Sequence, residues 1–492
     1  MECFVGIDVG TSSARAVAID MNGQTLATGQ CEYDIIKPEL NQAEQNMDHL
    51  WNSTVEAIKQ MLAKAPELKN DIKGIGFSGQ MHGLVMVDKD MKPIRNAIIW
   101  ADQRSAAQIQ HIYETVPESE FGKVFNNRLS TGFLLPSLVW VKENEPENYD
   151  KIYKVMCPKD YIRYRICGEI GTEASDASST GMWDMKNRTW AYEILEKLGI
   201  SRDILPDSYE AYEKAGVVTE ECENLTGLNK GISVAFGGGD SLMMELGNGM
   251  IRGGRMASTI GTACHLTCAL DGAIYDPMLR TNTWCHGSEK LWSIMGAHLS
   301  GGVALKWLKN NILSMDSFEE MSAIAERVPV GSEGLLFLPY LNGERTPHND
   351  PEAKAVFLGM TLRHNKDHMI RSTMEGIVYS MKESYSIFQS LGISADRIIA
   401  SGGGAKSHVF RQIQADMYNA PIYTNREKEQ ASLGAAMTAA VGCGCFKNYE
   451  EACDSMVHLG TEVVEPIKEN VIIYNEGFER FKEIYKANKI IF

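Results

Sequence analysis

The sequence predicts an α/β chain built as two similar lobes, and three observations carry that prediction. The chain has 492 residues, too many for one ordinary core. Short apolar strand patterns alternate with helix-period patterns along its length. A short string also recurs half a chain apart: Ile7-Asp8-Val9-Gly10-Thr11-Ser12 and Ser258-Thr259-Ile260-Gly261-Thr262-Ala263 both read as strand, Gly-Thr-small turn, strand. Only the first copy keeps an Asp two residues before its Gly, so the lobes are expected to divide the labour.

The elements follow in order. Residues 4–9 and 15–20 read as strands, and Asn22-Gly23 is a hairpin signal into a third. Residues 47–64 have the apolar spacing of an amphipathic helix. A strand pair is expected over 73–87, interrupted by SGQMHG, then helices over 103–115 and 135–145. The stretch 156–184 reads as strands and turns, and 190–198 as a helix. GISVAFGGGDSLMMELG reads as strand, glycine turn and helix, and RMASTIGTACHLTCAL as strand, turn and strand. The rest alternates: a strand over 334–339, a long helix over 367–391, a strand over 397–401, the turn GGGA, and helices over 407–417 and 431–441.

Composition narrows the function classes. A net charge of −16 and a pI near 5.3 argue against general binding to nucleic acid or anionic membrane, which need clustered Lys and Arg. The N-terminus lacks the basic and apolar regions of a signal peptide, and no apolar run is long enough to span a bilayer. Eleven scattered cysteines fit reduced thiols. A cytoplasmic protein is therefore expected. Cys264, Cys268, Cys285 and His286 could suggest zinc, but their spacing fits no standard finger or ribbon, so buried thiols are expected. The oligomeric state is left open, a homodimer included.

Four motifs could carry chemistry. In Asp8-Val9-Gly10-Thr11-Ser12-Ser13, a glycine at a hairpin tip lets backbone N–H groups approach phosphate, and Asp8 could hold hydrated Mg²⁺. The bland alternative is an ordinary polar hairpin. In Gly237-Gly238-Gly239-Asp240-Ser241, Asp240 falls at a helix N-terminus, where the dipole favours the ionised carboxylate; taken alone it reads first as an N-cap. Gly402-Gly403-Gly404-Ala405-Lys406 fails the P-loop pattern, because Ala405 stands where glycine is required, but it is still compatible with a nucleotide-facing turn. Gln80, Met81 and His82, with Trp100, Asp102 and Arg104, lie in loops after apolar strands, as at a cleft rim. His82, Asp102 and Gln80 could bond a polyol while Trp100 stacks on it, although a lone loop histidine is more often structural.

The order of these motifs is more specific than any one of them. The run at 6–12 resembles the first phosphate hairpin of the sugar kinase, actin and heat-shock ATPase superfamily. That run, GQMHG, the W-x-D-x-R pattern at 100–104, PKDY at 158–161, SDAS at 175–178, GGGD, FLPYLNGERTPHNDPEAKAVFLG at 337–359, GGGA and LGAA at 433–436 together resemble the FGGY carbohydrate kinases. GQMHG combined with GERTPHNDP resembles the xylulokinase branch of that family.

The resemblance implies two ribonuclease-H-like lobes with a cleft between them: 1–246 binding sugar and the first phosphates, 247–492 binding nucleotide. It implies ATP and Mg²⁺, with Asp240 as the general base and Asp8 positioning the metal. Gly10, Thr11, Ser12, Ser13, Gly261 and Thr262 would meet phosphates, and Gly402, Gly403, Gly404 and Ala405 the adenosine side. Met81, His82 and Asp240 match the family's sugar contacts; Gln80, Trp100, Asp102, Arg104 and Ser241 are looser carry-overs. The expected substrate is a ketopentose, D-xylulose first, with D-ribulose, L-xylulose or another polyol as alternatives. Two positions depart from the pattern: Ser241 where the branch usually has Asn, and Gly-Thr-Ala where the second hairpin usually has Gly-Thr-Ser. A non-catalytic ATP-binding regulator, or an ATPase acting as a motor, would be the rivals. The first is expected to lack Asp8 or Asp240, and the second to lack the sugar loops.

Overall fold

The structure, a computed structural model, describes residues 2–492. Two mixed sheets organise it. The first holds β1 (Cys3–Val9), β2 (Ser13–Asp20), β3 (Thr25–Glu32), β4 (Ile72–Gly79), β5 (Lys214–Val217) and β6 (Ser233–Ala235) in the order β5-β6-β4-β1-β2-β3, with the two-residue β7 (Gly238–Gly239) also on β4. The second holds β8 (Arg255–Ile260), β9 (Cys264–Leu270), β10 (Asn282–Cys285), β11 (Trp292–His298), β12 (Arg397–Gly402) and β13 (Ile422–Thr424) in the order β10-β11-β9-β8-β12-β13. β1 lies antiparallel to β2 and parallel to β4; β8 lies antiparallel to β9 and parallel to β12. The repeated Gly-Thr turns therefore occupy the same place in each lobe, at the tip of the hairpin next to the first parallel strand.

Helix α1 (Met47–Lys64) begins with Asn46 capping Asp48 and His49 N–H, and buries Leu50, Ile58 and Met61 against Val5, Ile7 and Val9. Helices α2 (Pro158–Cys167) and α3 (Ala174–Ser178) fall where strands and turns were expected. The start and stop of α2 follow the usual signals, Pro158 in the first turn and Gly168 at φ 77° after the end, but its inward face carries Lys159, Asp160 and Arg163, so no apolar period betrays it. The helix expected over 190–198 begins only at Tyr192, because Trp190 pairs with Trp183 in a short hairpin. The helix expected over 103–115 starts at Ala106.

The remaining helices used below are α4 (Asp240–Gly247), α5 (Lys366–Ser390), α6 (His408–Tyr418), α7 (Gln430–Gly442) and α8 (Lys468–Asn488). α5 is the spine of the second core, with Ile370, Met374, Ile377, Met381 and Phe388 buried beside Leu266, Ile294 and Ile398. Near its end the chain returns to the first sheet. Leu433, Ala436 and Met437 of α7 pack on Phe4, Val17 and Ile19. The approach needs glycine: a β-carbon at Gly6 would fall 2.0 Å from the Ser432 carbonyl oxygen, and one at Gly76 would fall 1.9 Å from that of Ala435. A third core joins Met81, Phe133 and Trp183 to Trp284 of β10, so the second sheet's edge is anchored in the GQMHG region of the first half. Among the described residues no helix is long and apolar enough to cross a membrane.

Candidate active site

Sheet register gathers the candidate residues. Asp8 stands opposite Ser78, which stands opposite Gly238; one step on, Val9, Gly79 and Gly239 align in the same way. The next residues along the three strands are Gly10, Gln80 and Asp240. The Gly10 hairpin, the GQMHG loop and the start of α4 thus emerge side by side from the carboxyl edge of three parallel strands, where open α/β sheets bind ligands. Gly237 makes this possible: it sits at φ 76°, and a β-carbon there would fall 2.2 Å from the Phe77 carbonyl oxygen.

The first hairpin has its carbonyls tied back. Tyr33 Oη donates to Gly10 O at 2.5 Å, as does Gln80 Nε2 at 3.3 Å, and Gln45 Nε2 donates to Thr11 O at 2.7 Å. Gln80 Nε2 also donates to Gln45 Oε1 at 2.7 Å. Thr11 and Ser12 N–H then have no acceptor among the described residues, and Ser12 is exposed. The second hairpin repeats the arrangement by other means: Gly302 N–H donates to Gly261 O at 2.7 Å, and Gly301 and Val303 N–H to Thr262 O at 3.1 Å. GGGA lies directly beside it, since Ile260 pairs with Gly402 and a β-carbon on Gly404 would fall 2.7 Å from that of Ile260. Gly402 and Gly403 are exposed, Ala405 half-buried and Gly404 buried.

Asp240 is half-buried, its Oδ1 accepting the Ser241 N–H at 2.7 Å. Burial, then the charge of Asp8, push its pKa up to about 7, against the N–H bond that favours the ionised form. Asp8 accepts a 2.7 Å bond from Ser78 Oγ; burial pushes its pKa up, while Ser78 and Arg15 pull it down. Ser241 is half-buried, and its hydroxyl has no partner among the described residues.

The residues at 80–82 and 100–104 separate into two groups. Met81 is buried and fills the space over Gly239, where a β-carbon would fall 2.6 Å from Met81 Cγ. His82 takes a left-handed φ of 74°, stacks on Phe133 at 4.3 Å and meets Trp284 at 5.4 Å. Its Nδ1 donates to the Ser179 carbonyl at 2.7 Å, and burial lowers its pKa to about 4. The ring is therefore neutral at pH 7 and its Nε2 is an acceptor. Trp100 is 43% exposed and donates through Nε1 to Thr11 Oγ1 at 2.9 Å, joining this rim to the hairpin. Gln80, Asp102 and Arg104 have internal partners instead. Gln80 is 1% exposed and holds Gln45 and the hairpin. Asp102 binds Ala43 N–H and the Arg104 guanidinium, which also reaches Glu44 and lies over Trp140.

A buried polar layer beneath Asp240 was not foreseen. Gly239 N–H donates to Ser175 Oγ at 2.9 Å, and Ser175 Oγ donates in turn to Glu173 Oε1 at 2.9 Å. Lys159, wholly buried, sits 2.9 Å from Asp160 Oδ1, 3.3 Å from Asp176 Oδ2 and 3.7 Å from Glu173 Oε1. The PKDY and SDAS motifs therefore meet in space. Cys157, Asp160 and Asp176 also form the sole three-ligand grouping among the described residues, and the Lys159 ammonium already supplies the cation there. Cys264, Cys268, Cys285 and His286 form no such grouping, and all four are buried.

Asp8 meets the requirements of a Mg²⁺ site. It is a hard carboxylate with one oxygen engaged by Ser78, beside hairpin N–H groups able to hold the phosphates that complete a Mg²⁺ shell.

Comparison with known proteins agrees with this geometry. Residues 3–247 match the N-terminal domain of the FGGY family of carbohydrate kinases, and residues 256–443 match its C-terminal domain. The chain is 34% identical over 489 residues to the xylulose kinase of Bacillus subtilis (strain 168), covering 99% of this chain and 98% of that one. Two solved structures from Lactobacillus acidophilus, a ligand-bound xylulose kinase and a gluconate kinase, each superpose at a TM-score of 0.92 with 25% identity. The first covers 99% of both chains, the second 99% of this chain and 98% of the other.

Proposed function

The chain belongs to the FGGY family of carbohydrate kinases, and we propose that it transfers the γ-phosphoryl group of ATP to a hydroxyl of D-xylulose, giving D-xylulose 5-phosphate. The observation that carries this reading is the register that sets Gly10, Gln80 and Asp240 side by side at one sheet edge. There a nucleotide phosphate on the hairpin and a hydroxyl beside Asp240 can meet.

Phosphoryl transfer asks a protein mostly for positioning and charge stabilisation. The free N–H groups of the two hairpins hold phosphates, and GGGA faces the adenosine side. His82 Nε2 accepts from a sugar hydroxyl, Met81 and the face of Trp100 shape the pocket, and Ser241 lies next to the base. Asp240 accepts the proton of the attacking hydroxyl; a pKa near 7 suits a base working at neutral pH and supports a contribution of about 10²–10⁴ in rate. Asp8 would hold Mg²⁺, which when bound neutralises phosphate charge. Gln45, Gln80 and Tyr33 aim the hairpin N–H groups by fixing its carbonyls.

The substrate reading rests on relatives named xylulose kinases. The gluconate kinase of equal structural likeness and the unusual Ser241 put D-ribulose, L-xylulose and gluconate into the test. Coupled ADP release with Mg²⁺ should rise on adding D-xylulose above every other member of that panel. A basal rate unchanged by all of them would sink the reading.

A further inference from the structure

Arg345 is the residue of the GERTP segment whose side chain the fold leaves unused. Its neighbours are clamped. Glu344 is 1% exposed, and its carboxylate accepts Leu299 N–H at 2.9 Å, Arg345's own N–H at 2.7 Å and Ser380 Oγ at 3.2 Å. Thr346 is 2% exposed; its Oγ1 takes Ala297 N–H at 3.2 Å and donates to Arg280 O at 2.9 Å, while its own N–H donates to Ala297 O at 3.0 Å. The backbone of Arg345 is thus fixed at the end of β11 on both sides, and its side chain, partly open to solvent but crowded enough by protein to lower its pKa, has no hydrogen-bond or ion-pair partner among the described residues. The adjacent Glu344 carboxylate is committed to two backbone N–H groups and the Ser380 hydroxyl, and acts on the guanidinium only through its charge.

The segment lies beside the second hairpin. Ala297, bonded to Thr346, stands directly across from His265, and His265 lies three residues after Thr262 on the strand that leaves the second phosphate hairpin. His265 is half-buried, and its ring too has no partner among the described residues. The charge of Arg345 reaches both His265 and the sugar-loop His82, adding to the burial that keeps each neutral. In a chain of net charge −16, an unpaired guanidinium on a clamped backbone beside the second hairpin is a site for an anion.

We infer that Arg345, assisted by His265, binds the phosphoryl group as it passes to the sugar and then the phosphate monoester of the product, and contributes little to the free sugar. This rests on the kinase reading above. In the step, the sugar O–H bond breaks and its proton goes to the Asp240 carboxylate. A sugar O–P bond forms as the P–O bond to the departing ADP breaks, the electron pair leaving on the ADP oxygen. The guanidinium stays protonated throughout and meets only non-bridging oxygens.

The test titrates full-length wild type, Arg345→Ala and Arg345→Lys calorimetrically with D-xylulose, D-xylulose 5-phosphate and inorganic phosphate, alongside kcat. Arg345→Ala should bind the sugar phosphate at least tenfold more weakly, with D-xylulose affinity within twofold and kcat down about 10²-fold; the lysine variant should recover part of both. Unchanged sugar phosphate affinity, or equal losses for sugar and sugar phosphate, would overturn the assignment. Wild-type ADP release with D-xylulose is measured first. If it is absent, the substrate reading falls by itself, and the anion site is judged on whether Arg345→Ala abolishes inorganic phosphate binding.

Discussion

Ser78 Oγ donates a 2.7 Å hydrogen bond to Asp8 Oδ1, and the two residues stand directly opposite each other in adjacent parallel strands. Ser78 is wholly buried. Its bond favours the ionised form of Asp8 against burial, which pushes the other way.

Ser78→Ala should therefore raise the Asp8 pKa further and increase the Mg²⁺ concentration needed for half-maximal ADP release. One hydrogen bond to a charged group contributes about 1.5–3 kcal/mol, so the Mg²⁺ requirement should rise roughly tenfold or more at neutral pH and recover partly at higher pH. An unchanged Mg²⁺ dependence would show that Asp8 is not the metal carboxylate.

Asp240→Asn separates activity from stability. The change keeps the shape but removes the base, so kcat should fall at least about 10²-fold with KM for ATP little altered. The folded-state pKa of Asp240 is raised, to about 7 from 3.8, so the native state binds this proton more tightly than the unfolded chain. The carboxylate therefore costs nothing below about pH 4; its penalty grows between pH 4 and 7 and is complete above 7. The variant should consequently gain about 1–3 kcal/mol at pH 8 and nothing near pH 4, read from denaturation midpoints at both pH values. An equal gain at both would mean that the carboxylate is not desolvated. For the wild type, kcat/KM should fall along an acid limb with an apparent pKa near 7, and Asp8→Asn should move that limb to lower pH.

Lys159 is the third test. Replacing it by Met would leave Asp160, Glu173 and Asp176 buried together without their cation, all three within 3.7 Å of Lys159 Nζ. Removing one partner of a buried ion cluster costs about 3–5 kcal/mol. A marked fall in Tm is expected at pH 7, with partial relief in acid as the carboxylates take up protons. A Tm within a degree of wild type would mean that the cluster is already neutral.

The sequence made the strand–turn–helix punctuation visible, and the boundaries of α1 with it, because its apolar stripe speaks locally; the Asn46 cap confirms the start in the structure. It hid α2, whose buried face is charged: Lys159, Asp160 and Arg163 pack inward where an apolar period would be looked for. Glycine turns at strand ends marked Asp8 and Asp240 as candidates, but only the resemblance of the motifs in order gave them roles; taken alone, Asp240 read as an N-cap. Tyr33, Gln45 and Ser78 were not, because each reaches the hairpin or its Asp only through pairing with distant strands or loops. Gln80, Asp102 and Arg104 show the converse. A polar residue in a loop after a strand looks the same in sequence whether it faces a ligand or, as here, another part of the chain.

Ser241 supports the most discriminating prediction on substrate. It follows the proposed base, is half-buried, and its hydroxyl has no partner among the described residues. An Asn here would offer an acceptor and two donors at longer reach; Ser offers one shorter hydroxyl, leaving room for a water or a differently configured sugar. One hydrogen bond to an uncharged group is worth about 0.5–1.5 kcal/mol, so selectivity for D-xylulose over other ketoses should be looser by up to roughly tenfold than with Asn in place. Ser241→Asn should then raise the ratio of kcat/KM for D-xylulose over that for D-ribulose and L-xylulose, with Tm unchanged because no internal bond is lost. If every ratio stays the same, Ser241 does not face the sugar. If the ratio falls, its hydroxyl is itself the group that selects the substrate.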